Sequence, residues 1–490
     1  MVPMTIETDT SPRDEFDADE LRTSFALAMS AMYKKEVPLY GNLTQIVRAV
    51  NEETLANASD CRNSVLKNGD VASERLEPER HGAIRLGTAH ELFTVRRVFE
   101  IIGMYPVGYF DLSHAGLPMH ATCFRPTTTT ALRKNPFRIF TTLLRPELME
   151  DDEARGGATN LLGQRSIFSE DLLRLLDLAE RQGGQLKVDQ GDLFVQEVMK
   201  TFDWKPIAAT SKELYQTLKG QHPILADIAC FRSAHINHLT PRTLNIAAAQ
   251  ERMKAEGMAV KERIEGPPPR DCPILLRQTS FLALEERIQF PTAHGELNTT
   301  GSHKARFGEI EERGAAVTLA GRELYDKLLD KAMRKISGHP SFKPDEQDQI
   351  VTRTFAQYPD SWDELRRHDL VYFHYRCCPR AKPFQTQKRS TREELLALDV
   401  MEAVPIMYEE FLPMSAAGIF QSNLGNPNSV AAKIRTALSD KTGYEHALRR
   451  PILDMNGLYA EAQAASLRAC ALELGLPEKD FVEQGRDSHI

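Results

Sequence analysis

Helical and strand-like segments follow one another along this chain without regular alternation. Apolar residues such as Leu21 and Phe25 recur at helical spacing after a predicted N-cap at Asp17 or Asp19, whereas Tyr105, Val107 and Tyr109 alternate with other side chains, as in a strand. A chain built from repeated β-α units would alternate the two patterns regularly. The sequence therefore predicts an α+β fold.

The same patterns divide the chain into a short tail and one large domain. Residues 1–18 are acidic, contain two prolines and show no apolar period, which is typical of a flexible tail. Residues 19–490 are expected to form a single catalytic domain with a helical insertion at about 150–227 and C-terminal helices at about 430–490.

Charge and motif content argue against several classes of function. A formal net charge of -8 disfavours a nucleic-acid partner, since such domains are usually basic. The N-terminus lacks a signal-peptide pattern and no apolar run reaches the roughly 18 residues of a membrane span, so we expect a cytoplasmic protein. The seven cysteines include no C-x-x-C pair, and glycine-rich nucleotide motifs are missing. The sequence does not specify an oligomeric state.

One imidazole and one guanidinium stand four residues apart in the stretch "RHGAIRLGTAHELFTVRRVF", as His81 and Arg85. A spacing of four returns a side chain to nearly the same face of either a helix or a strand. Both side chains can therefore enter one pocket, whichever structure holds them.

Two further segments offer groups that could carry chemistry. "RSAHINHLTPR" contains His235 and His238, whose spacing of three on a strand would direct them to opposite faces, so that only one points inward. "RFGEIEERG" places Glu309 between apolar neighbours, where a buried carboxylate needs an arginine or a metal. Each signal also has an ordinary explanation, because most histidines are satisfied core or surface residues and an acid beside Glu311 and Glu312 is typical of a solvated strand edge.

Taken together, these groups indicate a metal site. Two neutral imidazoles and one carboxylate on separate strands form the facial triad that suits non-haem Fe(II), because positions stay open for a chelating substrate and O₂. A nearby arginine can bind the far carboxylate of a dianionic substrate through a bidentate fork. On this hypothesis His81 holds the metal and Arg85 binds the substrate.

The motifs "RHGAIR", "AHINHLTPR", "RFGEIEERG" and "FLPMSAAGIFQSNL" resemble the 2-oxoadipate dioxygenase/decarboxylase family, also called D-2-hydroxyglutarate synthase. The resemblance implies a fold related to the vicinal oxygen chelate proteins, with a curved, partly closed sheet around one Fe(II). It further implies that His81 and Glu309 are metal ligands and that Arg85 binds the substrate carboxylate.

The second histidine ligand has two candidates. "INHLTPR" is similar to the metal-binding strand "DHLTHN" of hydroxyphenylpyruvate dioxygenases, and "GEIEERG" is similar to their strand "EFIQRKG", which favours His238 and Glu309 and keeps His235 as the alternative. The family's serine-rich loop corresponds to "PMSAAGIFQSN", whose backbone at Met414 and Ser415 is expected to line the substrate pocket. Four further pocket candidates, with equally ordinary turn or strand-surface roles, are Arg277, Gln278, Gln421 and Asn423.

The activity that the resemblance implies is oxidative decarboxylation of 2-oxoadipate by O₂, with hydroxylation of the shortened acid to D-2-hydroxyglutarate, in bacterial lysine catabolism. The expected partners are thus a 2-oxo dicarboxylate and O₂. Two alternatives stay open at this point. One is an isomerase or hydrolase that holds Zn²⁺ or Ni²⁺ at the same ligands, and the other is a non-catalytic sensor of an oxo acid.

Overall fold

The computed structural model describes residues 16–57, 79–113, 116–292, 296–297, 299–339, 342–378, 391–411 and 438–477. The strands in these ranges are β1 (His81–Leu86), β2 (Tyr105–Asp111), β3 (Met119–Arg125), β4 (Arg138–Leu144), β5 (His238–Thr240), β6 (Leu276–Ser280), β7 (Glu285–Phe290), β8 (Thr299–Lys304), β9 (Phe307–Arg313), β10 (Phe373–Cys377) and β11 (Met401–Pro405). Seven of them form one curved sheet in the order β2-β3-β4-β1-β5-β9-β6.

The helices that accompany the sheet lie before, between and after its strands. They are α1 (Ala18–Glu36), α2 (Pro38–Ala56), α3 (Ala89–Ile101), α4 (Thr129–Lys134), α5 (Asp152–Gln164), α6 (Glu170–Arg181), α7 (Val188–Phe202), α8 (Lys212–Gln221), α9 (Pro223–Ala229), α10 (Ile246–Ala255), α11 (Leu319–Ser337), α12 (Pro344–Phe355), α13 (Trp362–Arg367), α14 (Arg392–Ala397), α15 (Lys441–Leu448) and α16 (Met455–Leu474). None of these described helices has the length and apolar character that crossing a bilayer requires.

Strand directions in the large sheet are mixed. β1 runs parallel to β4 and antiparallel to β5, while β5 runs parallel to β9. β2-β3, β3-β4 and β6-β9 are antiparallel pairs. β7-β8 and β10-β11 form separate two-stranded sheets. Helices and strands thus mix without regular alternation, and the predicted α+β class with a curved sheet is confirmed.

β1 is buried on both faces, and its two faces have different partners. Ile84 and Leu86 belong to the main apolar core, together with Phe25 of α1 and Leu43 of α2. His81 and Arg85 stand at alternating positions from these two residues and therefore face the opposite side of the sheet. The interior of the curved sheet is consequently where polar groups of β1 must meet their partners.

Close packing on the outer face of the sheet depends on two glycines beside the predicted ligands. A Cβ added at Gly82 would lie 2.7 Å from Ile236 Cδ1, and one at Gly308 would lie 2.5 Å from Phe281 Cε1 and 2.8 Å from Leu43 Cδ2. Real Cβ atoms do not approach this closely, so these strands carry no side chain at these outer positions.

Several of the predicted segment ends fall within the described residues. Asp17 caps α1 by accepting a hydrogen bond from the Asp19 amide, and Gly103 takes a left-handed φ of 69° just after α3. Of the predicted tail, residues 1–15 lie outside the described part, while Phe16 packs against the core. Helices α5 to α9 occupy the stretch predicted as a helical insertion, and α15 and α16 occupy the described part of the predicted C-terminal helices.

Candidate metal centre

Three neighbouring strands bring the predicted ligands together on the inner face of the sheet. His81 opens β1 and pairs in register with Thr240 of β5, while His238 opens β5 and pairs with Phe307 of β9. Glu309 follows Phe307 by two residues and so shares its face. Ligand atoms of His81, His238 and Glu309 all lie within 4.8 Å of one another. Each of the three side chains is at most 3% exposed.

His81 stands between two carboxylates. Its Nε2 lies 3.0 Å from Glu309 Oε1, and its Nδ1 lies 2.8 Å from Glu311 Oε2. Bridging two carboxylates requires either a proton on each ring nitrogen or a metal cation in place of the proton on Nε2. The Thr240 hydroxyl lies 3.0 Å from His81 Nε2 and donates to Glu309 Oε1 at 3.2 Å.

Two atoms of this cluster have no hydrogen-bond partner among the described residues. They are Nδ1 of His238 and Oε2 of Glu309, both buried. A buried polar atom left unsatisfied costs about 1–3 kcal/mol, so native structures rarely keep one without a reason. A divalent cation bound by these side chains would remove the cost, and the donor set of two imidazoles and one carboxylate is one that such cations accept. The residues present therefore fit a metal.

Burial shapes the charge state of the ligands. Desolvation lowers the pKa of His238 well below its ordinary value of 6.5, and the charges of His81, Arg85 and Lys261 lower it further. The imidazole is therefore neutral at pH 7, as metal ligation requires. Burial raises the pKa of Glu309 above its ordinary value, because its pairing with His81 does not fully offset desolvation. A carboxylate in this position gains from a nearby cation.

Glu311 holds His81 from behind. Burial alone would raise the pKa of Glu311, but Arg313 and His81 outweigh it and hold the pKa well below the ordinary value. Arg313 donates to both carboxylate oxygens of Glu311, with Nη2 to Oε2 at 2.9 Å. An ionised carboxylate accepting from Nδ1 fixes the ring so that Nε2 faces the cluster. The ring of Phe411 covers His81 from another side, at a centroid distance of 4.5 Å.

Arg85 is on the same face of β1 as His81 and pairs with a carboxylate of the protein. Its Nη1 donates to Asp227 Oδ2 on α9. Asp227 Oδ1 accepts from His235 Nε2 at 3.1 Å and from His303 Nε2 at 2.8 Å. These three residues also form a buried group whose ligand atoms lie within 4.8 Å of one another. We refer to Asp227, His235, Asn237 and His303 as the Asp227 cluster.

The prediction that only one of His235 and His238 points inward is wrong. Both are buried, at 3% exposed each. β5 spans only His238–Thr240, so His235 precedes the strand and the alternation of strand side chains does not apply to it. The two histidines enter different clusters, with His238 beside His81 and Glu309 and His235 on Asp227.

Known proteins that are similar to this chain identify its family. The family model described as 2-oxoadipate dioxygenase/decarboxylase matches residues 25–423. This chain belongs to that family. A 2-oxoadipate dioxygenase/decarboxylase of Pseudomonas putida is 43% identical over 469 residues, covering 95% of this chain and 99% of the relative. One from Escherichia coli is 45% identical over 457 residues, covering 93% and 98%.

Solved structures also resemble this chain over most of its length. The crystal structure of the hydroxyglutarate synthase of Pseudomonas putida in complex with 2-oxoadipate matches with a TM-score of 0.84 and 42% identity, covering 95% of this chain and all of that one. This member of the 2-oxoadipate dioxygenase/decarboxylase family is accordingly an enzyme.

The remaining predicted pocket residues of this family member fall in two groups. Met414, Ser415, Gln421 and Asn423 lie outside the described residues. Arg277 pairs with Glu312, at 3.0 Å between Nη1 and Oε2. Gln278 is buried and in register with Glu311.

Sequence reasoning missed four polar residues beside the ligands and Arg85. Thr240 and Glu311 follow His238 and Glu309 by two residues each, so the period of a strand could have indicated them. Asp227 and His303 lie 142 and 218 residues from Arg85 in the sequence, and no local pattern connects them.

Proposed function

We propose that this protein is an Fe(II)-dependent dioxygenase that converts 2-oxoadipate and O₂ to D-2-hydroxyglutarate and CO₂. The observation that carries the proposal is the buried cluster of His81, His238 and Glu309, with its two unsatisfied atoms, in a member of the 2-oxoadipate dioxygenase/decarboxylase family. Two neutral imidazoles and one carboxylate leave positions for a chelating 2-oxo acid and for O₂.

The proposed reaction balances without a second organic substrate. The carboxyl carbon next to the oxo group leaves as CO₂, which shortens the six-carbon acid to five carbons. One oxygen atom of O₂ enters the new carboxylate and the other enters the new hydroxyl group. Bound Fe(II) would supply the activation of O₂ that this chemistry needs.

The protein's own residues hold the ligands in place. Glu311 fixes the ring of His81 through Nδ1. Thr240 donates to Oε1 of Glu309, and Oε2, which has no partner within the described residues, would be free to bind the metal. The site is buried, so water is excluded from most of its surface and charge pairing there is stronger than in solvent.

Arg85 is proposed to bind the distal carboxylate of the substrate. It shares the inner face of β1 with His81, and four strand residues correspond to about 13 Å between the two Cα atoms. The residue between them on that face is Ala83, which carries only a methyl group. A diacid chelated at one end would thus find a guanidinium toward its other end. We further propose that this reaction belongs to bacterial lysine catabolism and takes place in the cytoplasm.

The test is anaerobic loading with Fe(II), followed by 2-oxoadipate in an oxygen electrode. The variants are His81→Ala and His238→Ala, with His368→Ala, an exposed histidine on the surface, as the matched control. We expect equal amounts of O₂ consumed, CO₂ released and 2-hydroxyglutarate formed in the wild type and the control, and none in the two ligand variants.

Other outcomes point to other functions. Binding of 2-oxoadipate by the wild type without O₂ uptake would refute the dioxygenase and favour an isomerase, a hydrolase or a sensor. Full activity of His238→Ala, together with loss in His235→Ala, would move the second ligand to His235. Zn²⁺ or Ni²⁺ supporting turnover under anaerobic conditions would refute the need for O₂.

A further inference from the structure

The Asp227 cluster surrounds one carboxylate with four donors. Oδ1 accepts from His235 Nε2 and His303 Nε2, at 3.1 and 2.8 Å, while Oδ2 accepts from Arg85 Nη1 and, at 3.3 Å, from Asn237 Nδ2. A carboxylate offers about four lone-pair sites. Every acceptor site of Asp227 is therefore occupied, and the carboxylate is held as an anion.

The donors come from separate parts of the chain. Arg85 is on β1, His303 is on β8, and His235 and Asn237 belong to the segment before β5. The Tyr215 hydroxyl of α8 lies 3.0 Å from Nδ1 of His303, which leaves Nε2 of that ring to donate to Asp227. Because the four donors are anchored in three separate parts of the chain, Asp227 has little freedom to move. The guanidinium of Arg85 is then tied to a fixed point.

Aromatic rings enclose the same cluster. Trp204 stacks on His303 with centroids 5.7 Å apart and an interplanar angle of 18°, and it contacts His235 edge-on at 4.6 Å. Phe231 lies 4.7 Å from His303. Asp227 itself is 3% exposed. Water therefore cannot substitute for the donors, and an ion pair in these surroundings is stronger than one at the surface.

Two groups of two histidines and one carboxylate thus lie among the described residues, and the one at Glu309 fits a metal better than the one at Asp227. A cation at Asp227 would have to displace the hydrogen bonds from His235 and His303 and would sit beside the positive charge of Arg85. At Glu309 a cation would replace the contact between His81 Nε2 and Oε1, while Oε2 has no hydrogen-bond partner within the described residues and is left for the cation. The Asp227 cluster is instead built to hold a guanidinium.

We propose that Asp227 is a positioning residue that fixes Arg85 for the distal carboxylate of the substrate and so makes the site selective for 2-oxo dicarboxylates over 2-oxo monocarboxylates. The inference rests on the proposed function for the nature of the oxo acid. Arg85 would contact the substrate, while Asp227, His235 and His303 act through it.

The experiment measures equilibrium binding rather than turnover. Fe(II)-loaded protein is titrated under strictly anaerobic conditions with 2-oxoadipate and with 2-oxohexanoate, which has the same chain length and lacks the distal carboxylate. The quantity of interest is the ratio of the two dissociation constants. It is measured for the wild type, Asp227→Asn, Arg85→Lys and the double variant. Asp19→Asn is the matched control, since Asp19 pairs with the buried Arg22 away from the site.

We expect the wild type to prefer the diacid by at least about tenfold, the range of a hydrogen-bonded charge pair. Asp227→Asn removes most of this preference and leaves the affinity for 2-oxohexanoate unchanged. Arg85→Lys does the same, because a lysine lacks the planar fork that both carboxylates use. The double variant shows no further loss of the ratio, since Asp227 acts through Arg85.

His303→Gln keeps an N–H donor for Asp227 and provides a second, milder probe. It should retain the preference for the diacid, with an unchanged Fe(II) content of one ion per chain. Thermal unfolding of each variant checks that the titrated protein is folded.

Several results would overturn the inference. Equal weakening of both ligands by Asp227→Asn would mean a merely structural role, and independent effects of Asp227→Asn and Arg85→Lys would mean that Asp227 does not act through Arg85. A metal content of two ions per chain that falls to one in Asp227→Asn would make the cluster a metal site.

The binding ratio also separates this inference from the proposed function. A protein that binds 2-oxoadipate with the expected dependence on Asp227 but does not consume O₂ would refute the reaction and support the inference. A protein that turns over 2-oxoadipate without any preference for the diacid in binding would support the reaction and refute the inference.

Discussion

Two buried groups of two histidines and one carboxylate occur among the described residues, and they differ in how fully the carboxylate is satisfied. In the Asp227 cluster every carboxylate lone pair meets a donor. At the metal centre, Glu309 Oε2 and His238 Nδ1 have no partner among the described residues. Residue types alone would rate the two groups alike. The hydrogen bonding of the carboxylate itself separates a charge-holding network from a site for a cation, since His235 Nδ1 and Asn237 Oδ1 of the Asp227 cluster also have no partner within the described residues.

The largest expected effect separates the two carboxylates by metal affinity. Glu309→Gln removes a charged ligand and should weaken Fe(II) binding by more than about 1,000-fold, since loss of an outer hydrogen bond alone costs 10–100-fold. Asp227→Asn should leave Fe(II) affinity unchanged. Equilibrium dialysis against Fe(II) under anaerobic conditions measures both. Loss of iron in Asp227→Asn would show that the two carboxylates do not differ in their contribution to metal affinity.

The stability of the metal-free protein should fall more in Asp227→Asn than in Glu309→Gln, which is the reverse of their order in metal affinity. Asp227→Asn breaks a buried ion pair and should lower the free energy of unfolding by about 3 kcal/mol. Glu309→Gln should cost less, because burial raises the pKa of Glu309 and its charge is poorly compensated without a cation. Urea unfolding of metal-free protein gives both values. A larger loss for Glu309→Gln than for Asp227→Asn would contradict the comparison.

Glu311 contacts the proposed ligand His81 without being a proposed ligand itself, so its effect should be intermediate. Glu311→Gln removes the charged acceptor of His81 Nδ1 and should weaken Fe(II) binding about 10- to 100-fold. Glu312→Gln is the matched control, because Glu312 pairs with Arg277 instead. The same dialysis serves here, and equal Fe(II) affinities in the two variants would show that the hydrogen bond does not orient the ligand.

The smallest effect concerns pH. Burial lowers the pKa of His235, and Asp227 only partly offsets this shift. The neutral ring is therefore the form that the folded protein favours. Its contribution to stability is complete above the unfolded pKa of about 6.5 and decreases as the pH falls below it.

His235→Gln keeps a donor and removes this titration. The slope of unfolding free energy against pH between 5 and 6.5 should fall by up to about 1.4 kcal/mol per pH unit relative to the wild type. Urea unfolding at a series of pH values measures the slope, with His368→Gln as an exposed control. An unchanged slope in His235→Gln would show that the ring is not held neutral by the fold.

The direction in which a side chain faces could be predicted from the sequence only where strand alternation applied. It placed His81 and Arg85 on one face, because β1 is a regular strand over both residues. It failed for His235, which lies outside the short strand β5. For the acidic run at Glu309 the sequence left a solvated strand edge open beside a buried metal ligand, and Glu309 and Glu311 are fully buried, since β5 and β6 flank β9 on either side.

Long-range partners were beyond the reach of any local pattern. Asp227 meets Arg85 and His303 only because α9, β1 and β8 converge in the folded chain. The irregular mixing of helical and strand patterns indicated the α+β class, and the motifs, through their likeness to a known family, implied the curved sheet and the proposed metal ligands. The network that holds Arg85 follows from the structure alone.

The position of β1 in the sheet has a consequence for how the site opens. With three strands on each side, β1 is the middle strand of seven. Its amide protons should exchange with solvent only when most of the sheet unfolds, hence at the slowest rates in the molecule. The strand that carries His81 and Arg85 therefore cannot separate from its neighbours to admit a ligand during catalysis. Entry and release must depend on movement of the segments that cover the inner face, on a faster timescale than any opening of the sheet.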